Sequence, residues 1–149
     1  MPRRKQDSML GVVVVTHEQA AVALVSAAFA IVGELPAVTA VCVGMGEAFT
    51  KVVAKISRAC EEVDQGAGVL LMVDVHGSSP FHAAMSMLDG TRPAEVLCGV
   101  NLPMLIKMAT IDRTLTPPSA LAEELRDAGR RSIRIGSELT GKVAVGETT

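Results

Sequence analysis

The chain has no tryptophan and no tyrosine, and only three phenylalanines among its 149 residues. An aromatic core is therefore excluded, and so is a base-stacking platform for single-stranded nucleic acid. Charge of neither sign dominates, since 14 Lys and Arg stand against 16 Asp and Glu; no basic footprint for a duplex results. The three cysteines, Cys42, Cys60 and Cys98, are odd in number and form no CxxC pair. That spacing speaks against a disulfide framework and fits reduced core thiols in a cytoplasmic protein. No apolar run is long enough to span a bilayer. The start Arg3-Arg4-Lys5 and the apolar stretch after it imitate a secretory signal, but Thr16-His17-Glu18-Gln19 interrupts the stretch with residues no signal core carries. Repeats, low-complexity tracts and long linkers are also missing. One domain is expected over residues 9–140, with a flexible basic tail at 1–8 and a polar tail at 141–149.

What the chain does have is Val, Leu, Ile, Ala and Met, in strand-like runs that alternate with helical patterns. This alternation predicts an α/β domain with a mainly parallel sheet. The expected strands are Leu10–Val15, Ala37–Val43, Gly68–Val73 and Glu95–Val100. A helix over Gln19–Val32 is apolar on almost every face, which predicts burial. A second, Glu47–Asp64, is amphipathic, with Val52, Val53, Ile56 and Cys60 on one face and Lys51, Lys55 and Arg58 on the other. Ser79 reads as the N-cap of a third helix with Pro80 at its first position. Helices near Asn101–Ile111 and Ser119–Arg130 follow. Ser132–Ile135 alternates in polarity, which suits a half-exposed edge strand and a route to dimerisation by strand exchange.

Two strands end on chemistry. His17 lies at the seam between the first strand and the first helix, and Asp74 follows directly on the third strand. Ligands of open α/β sheets bind outside the carboxyl ends of the strands, at the switch point of the winding. If the first strand neighbours the third, these two residues face each other across that crevice. A carboxylate that takes a hydrogen bond from one ring nitrogen fixes the tautomer and frees the other nitrogen as a nucleophile or base. Helices starting at this face turn amide donors toward it, and Thr16, Ser78 and Ser79 add hydroxyls, an environment suited to a phosphoryl group. Each residue also has an ordinary reading: a histidine at a strand end can be a turn residue, and Asp74 can satisfy turn amides. His76 and His82 stand in no HxH or HxxxH pattern with the pair, so no metal and no other cofactor are expected.

Three blocks carry a resemblance. They are Val12-Val13-Val14-Val15-Thr16-His17, then Val73-Asp74-Val75-His76-Gly77-Ser78-Ser79-Pro80-Phe81, then Gly99-Val100-Asn101-Leu102-Pro103-Met104-Leu105. With this order and spacing the chain resembles the mannose-type IIA component of the bacterial sugar phosphotransferase system, over about Leu10 to Ile135. The resemblance implies a three-layer α/β sandwich whose four-stranded parallel sheet has the order 2-1-3-4. It adds a short antiparallel edge strand exchanged within a homodimer. It implies a phosphotransferase with His17 as phosphoryl acceptor, Asp74 orienting it, and Ser79 bonding the phosphate, with Thr16, Gly77 and Ser78 as further phosphate contacts. The donor would be an HPr-like phosphocarrier, and the acceptor a IIB component or a regulatory target. Contact with a membrane transporter would be peripheral at most.

The chain departs from the family at Glu18, where glycine is common, and at His76, where a basic residue is unusual. The Glu18 carboxylate is expected to point away from the phosphoryl site. Two alternatives stay open beside the carrier reading. One is a free-standing regulatory module switched by phosphorylation of His17; the other is a phosphotransfer subunit of dihydroxyacetone kinase.

Overall fold

The computed structural model describes residues 8–142 and Gly146. Its elements in chain order are β1 (Gly11–His17), α1 (Ala20–Val32), β2 (Val38–Val43), α2 (Phe49–Val63), β3 (Val69–Val73), α3 (Ser79–Met85), β4 (Ala94–Cys98), α4 (Leu102–Met108), α5 (Pro118–Arg131) and α6 (Gly136–Thr140). The four strands form one parallel sheet in the order β2-β1-β3-β4. Winding therefore runs outward from β1 in both directions, and the switch point lies between β1 and β3, as the alternation of strands and helices predicts.

Period-two alternation divides the core into two halves. Val13, Val15, Val41, Val43, Leu71 and Val73 face α2 and α3. Leu10, Val12, Val14, Leu70 and Met72 face α1, α4 and α5. The result is a three-layer sandwich. Because β1 and β3 are covered on both faces, they read as unbroken apolar runs. At Gly68 the chain passes so close to β4 that a Cβ would lie 2.1 Å from the Pro93 carbonyl oxygen, and its φ of +96° suits glycine.

Three expectations are not met within the single chain. First, α1 is not buried as a whole: only Ala21 and Ala28 are, while Val22 is 52 % and Ile31 59 % exposed. The helix flanks the edge strand β2, where no layer lies over its outer face, so apolar character on every side did not bring burial on every side. Second, Ser132–Ile135 forms no strand in this chain; Ser132 closes α5, and Ile133 and Ile135 are exposed before α6 begins. An alternating segment gains a ladder only where an unpaired edge meets it, and within one chain this segment meets none. Third, Ser8 belongs to the folded body, being buried, and the neighbouring Met9 amide donates to Gln65 Oε1. The expected tail over residues 1–7 and most of the tail from 141 onward lie outside the described residues.

Candidate active site

β1 runs two residues past its apolar stretch, so His17 is the last residue of the strand rather than the first of a loop. Its register partner is Val43 on β2, while on the other side Val15 pairs with Val73 of β3. Asp74 follows Val73 and lands beside His17. Its Oδ2 lies 2.8 Å from His17 Nδ1 and accepts the His17 backbone amide at 2.8 Å as well. The other oxygen, Oδ1, accepts the Val75 amide at 2.9 Å. Partial burial works most strongly against ionisation of this carboxyl, but the bonds from the His17 amide, the His17 ring and the Val75 amide together hold it below the usual carboxylate range. An ionised Asp74 accepts from Nδ1–H, which places the ring's lone pair on Nε2. The His17 side chain is 40 % exposed, and Nε2 has no partner among the described residues.

The hydroxyls divide differently from the expectation. Thr16 is fully buried; it accepts the Ala21 amide at 2.6 Å and donates to the His17 carbonyl. It ties the start of α1 to the strand end and leaves no donor for the crevice. The N-cap of α3 is Ser78, one residue earlier than expected: its Oγ donates to the Val75 carbonyl at 2.7 Å and accepts the Phe81 amide. Ser79 is the first helical residue, and Pro80 is second. Proline fits there because the first turn of a helix has no acceptors for its amides in any case. Ser79 is exposed, and its hydroxyl is uncommitted among the described residues. Gly77 has φ +81° and turns the loop between Asp74 and α3. His76 and His82 stack edge-on against Phe81 rather than joining His17. Among the described residues, no three His, Cys, Asp or Glu side chains are grouped to hold a metal ion.

The structure adds a partner for Glu18 and a second group, Arg113, that no reading of the sequence singled out. Glu18 adopts φ +49°, and its Oε1 accepts the Met45 amide at 3.0 Å, so the carboxylate does point to the side. Arg113 is buried at the opposite end of the sheet, donating to the Leu10 carbonyl at 2.8 Å and to the Pro36 carbonyl. The Met45 partner of Glu18 and the contacts of Arg113 were not visible as motifs, because both side chains act through backbone groups distant in sequence. Cys60 is set aside as a nucleophile, since burial pushes its thiol up to about 11.

The site is an open rim. Two surface grooves of about 380 and 400 Å³, one over the β2 edge and one between α4 and α5, include neither His17 nor Asp74. Fold and site together define a doubly wound α/β domain with a histidine–carboxylate pair at its switch point. A family profile described as the PTS system fructose IIA component, EIIA-man, matches residues 11–125, and the chain belongs to this family. It is similar to the fructose-specific EIIA component of Bacillus subtilis, with 27 % identity over 91 % of this chain and 92 % of that one. It is also similar to the mannose-specific EIIAB component of Escherichia coli, with 34 % identity over 66 % of this chain and 30 % of that protein's length. In structure it superposes on the phosphotransferase system component EIIA of Streptococcus agalactiae with a TM-score of 0.77 and 21 % identity, covering 87 % of this chain and 99 % of the other. Among the described residues no helix is long and apolar enough to cross a membrane.

Proposed function

We propose that this protein is a cytoplasmic phosphoryl carrier in which His17 Nε2 takes a phosphoryl group from an HPr-like phosphohistidine and passes it to a IIB component. The observation that carries the reading is the 2.8 Å contact between His17 Nδ1 and Asp74 Oδ2, which leaves Nε2 unpartnered at the rim. In the transfer the Nε2 lone pair forms the new N–P bond as the donor's N–P bond breaks, and the released electron pair returns to the donor imidazole. Nδ1–H keeps donating to Asp74, so the positive charge that builds on the His17 ring faces an ionised carboxylate. The Ser79 hydroxyl donates to a phosphoryl oxygen, and Gly77 and Ser78 shape the loop beneath it. Thr16 serves the strand end and takes no part in binding phosphate.

The open rim supports a macromolecular partner over an enclosed small substrate. Met45 is 84 % and Val75 53 % exposed on the loops beside the site, which offers apolar contact to a docking protein. We also place the chain in a homodimer. The exposed Ile133 and Ile135 would bury themselves by adding Ser132–Ile135 to the free edge of the partner's β4, the pairing the segment lacks in its own chain. Sedimentation showing a monomer at micromolar concentration would remove that part. The main test is labelling with phosphoenolpyruvate and the general phosphotransferase proteins. One phosphoryl group per chain is expected, mapped to His17 and lost in His17→Ala; full labelling of His17→Ala refutes the assignment.

A further inference from the structure

Glu18 follows the candidate phosphoryl acceptor directly and occupies the left-handed region at φ +49°, where L side chains are disfavoured. Such a conformation persists where the surroundings hold it, and these do so twice. The Glu18 amide donates to the Val43 carbonyl at 2.8 Å, and its carboxylate accepts the Met45 amide at 3.0 Å. The loop it grips, between β2 and α2, has little else to fix it. Gly44 and Gly46 flank Met45 and no side chain caps α2; the other ties among the described residues run between Gly44 and Glu47, whose amide donates to the Gly44 carbonyl at 3.2 Å and whose carboxylate accepts the Gly44 amide at 3.1 Å and is held by Lys55. The peptide that carries the His17 ring thus lies between two carboxylates. Asp74 holds it from the β3 side through the His17 amide and Nδ1; Glu18 anchors it on the β2 side.

We infer that Glu18 is a second positioning residue of the site: its carboxylate–Met45 bond locks the β2–α2 loop to the His17 peptide and so fixes the ring for in-line transfer. The inference rests on the carrier reading, with the bond's acceptor oxygen rather than its charge as the essential feature. Three variants separate the contributions. Glu18→Gln keeps an oxygen for the Met45 amide. Glu18→Ala loses the bond and keeps the backbone strain, whereas Glu18→Gly loses the bond and relieves the strain.

The experiment measures transfer from phosphorylated HPr-like carrier at a series of carrier concentrations, with the Met45 amide followed by NMR. Expected is a maximal rate about fivefold lower in both Ala and Gly variants at saturating carrier, the scale of one lost hydrogen bond. The Gln variant should stay within about twofold of native and keep the native Met45 amide shift. Ala and Gly variants as fast as native, or a Gln variant as slow as Ala, overturn the inference. The Gly variant cannot fail through strain, so a loss confined to Ala also overturns it. If the native protein takes no phosphoryl group at all, the carrier reading fails instead.

Discussion

Asp74→Asn is the sharpest single perturbation of the site, because the three hydrogen bonds of this carboxylate cannot all survive it. Oδ2 accepts from both His17 N and His17 Nδ1, and Oδ1 accepts from Val75 N. An asparagine has one acceptor and one donor end. If its oxygen takes the Oδ2 position, the NH2 group meets the Val75 N–H, donor against donor. If its NH2 takes that position, it meets the His17 amide and can satisfy the ring only by donating to Nδ1. That moves the ring proton to Nε2 and removes the attacking lone pair. The second arrangement costs the reaction about 10⁴-fold, the scale found when a histidine-orienting carboxylate is neutralised in a catalytic triad. Single-turnover transfer from phosphorylated HPr-like carrier reads that loss, and ¹⁵N shifts of the His17 ring read the tautomer. Stability carries a second signature. The Asp74 carboxyl titrates lower in the folded chain than the ordinary 3.8, so its contribution is present above about pH 4 and is lost as pH falls through the depressed folded value. The stability of Asp74→Asn should lack that acid dependence. A folded Asp74→Asn whose ring proton has moved to Nε2 and which still transfers within tenfold of the native rate would falsify the assigned role.

Two further predictions concern the scaffold. Arg113→Met leaves the Leu10 and Pro36 carbonyls without their buried donors; a loss of about 3 kcal/mol is expected, readable as a drop of roughly 10 °C in thermal midpoint, and a change below about 1 kcal/mol refutes the role of this staple. Gly68→Ala sets a Cβ against the Pro93 carbonyl at a φ of +96°, which should cost about 2–4 kcal/mol; an unmoved urea midpoint contradicts it.

The doubly wound order and the pairing of His17 with Asp74 were legible because they rest on period and position. Apolar runs that end on His17 and Asp74 carry the same information in sequence as in space, since both residues lie at the carboxyl ends of neighbouring strands. The cap of α3 was legible only to within one residue. Ser78-Ser79-Pro80 offers two hydroxyls in succession, and proline fits the first or second helical position equally. The Thr16 hydroxyl was misjudged for another reason. Residue type says that a hydroxyl can donate to phosphate, but the start of α1 claims this one, and the register that buries Thr16 is set by β1. Arg113 joins Leu10 across 103 residues, and no local pattern encodes such a contact.

Glu18 shows how a departure from a family pattern becomes readable once the backbone is known. The φ of +49° at Glu18 is one that glycine takes without steric cost. The Glu18 backbone is held there by its amide's bond to the Val43 carbonyl, and its side chain adds the bond to the Met45 amide. The direction of the carboxylate, toward the β2–α2 loop and on the opposite flank from Asp74, therefore makes the substitution a replacement of freedom by restraint at the residue next to the ring. The same argument predicts which change at this position is neutral: one that keeps the acceptor oxygen, whatever it does to the charge.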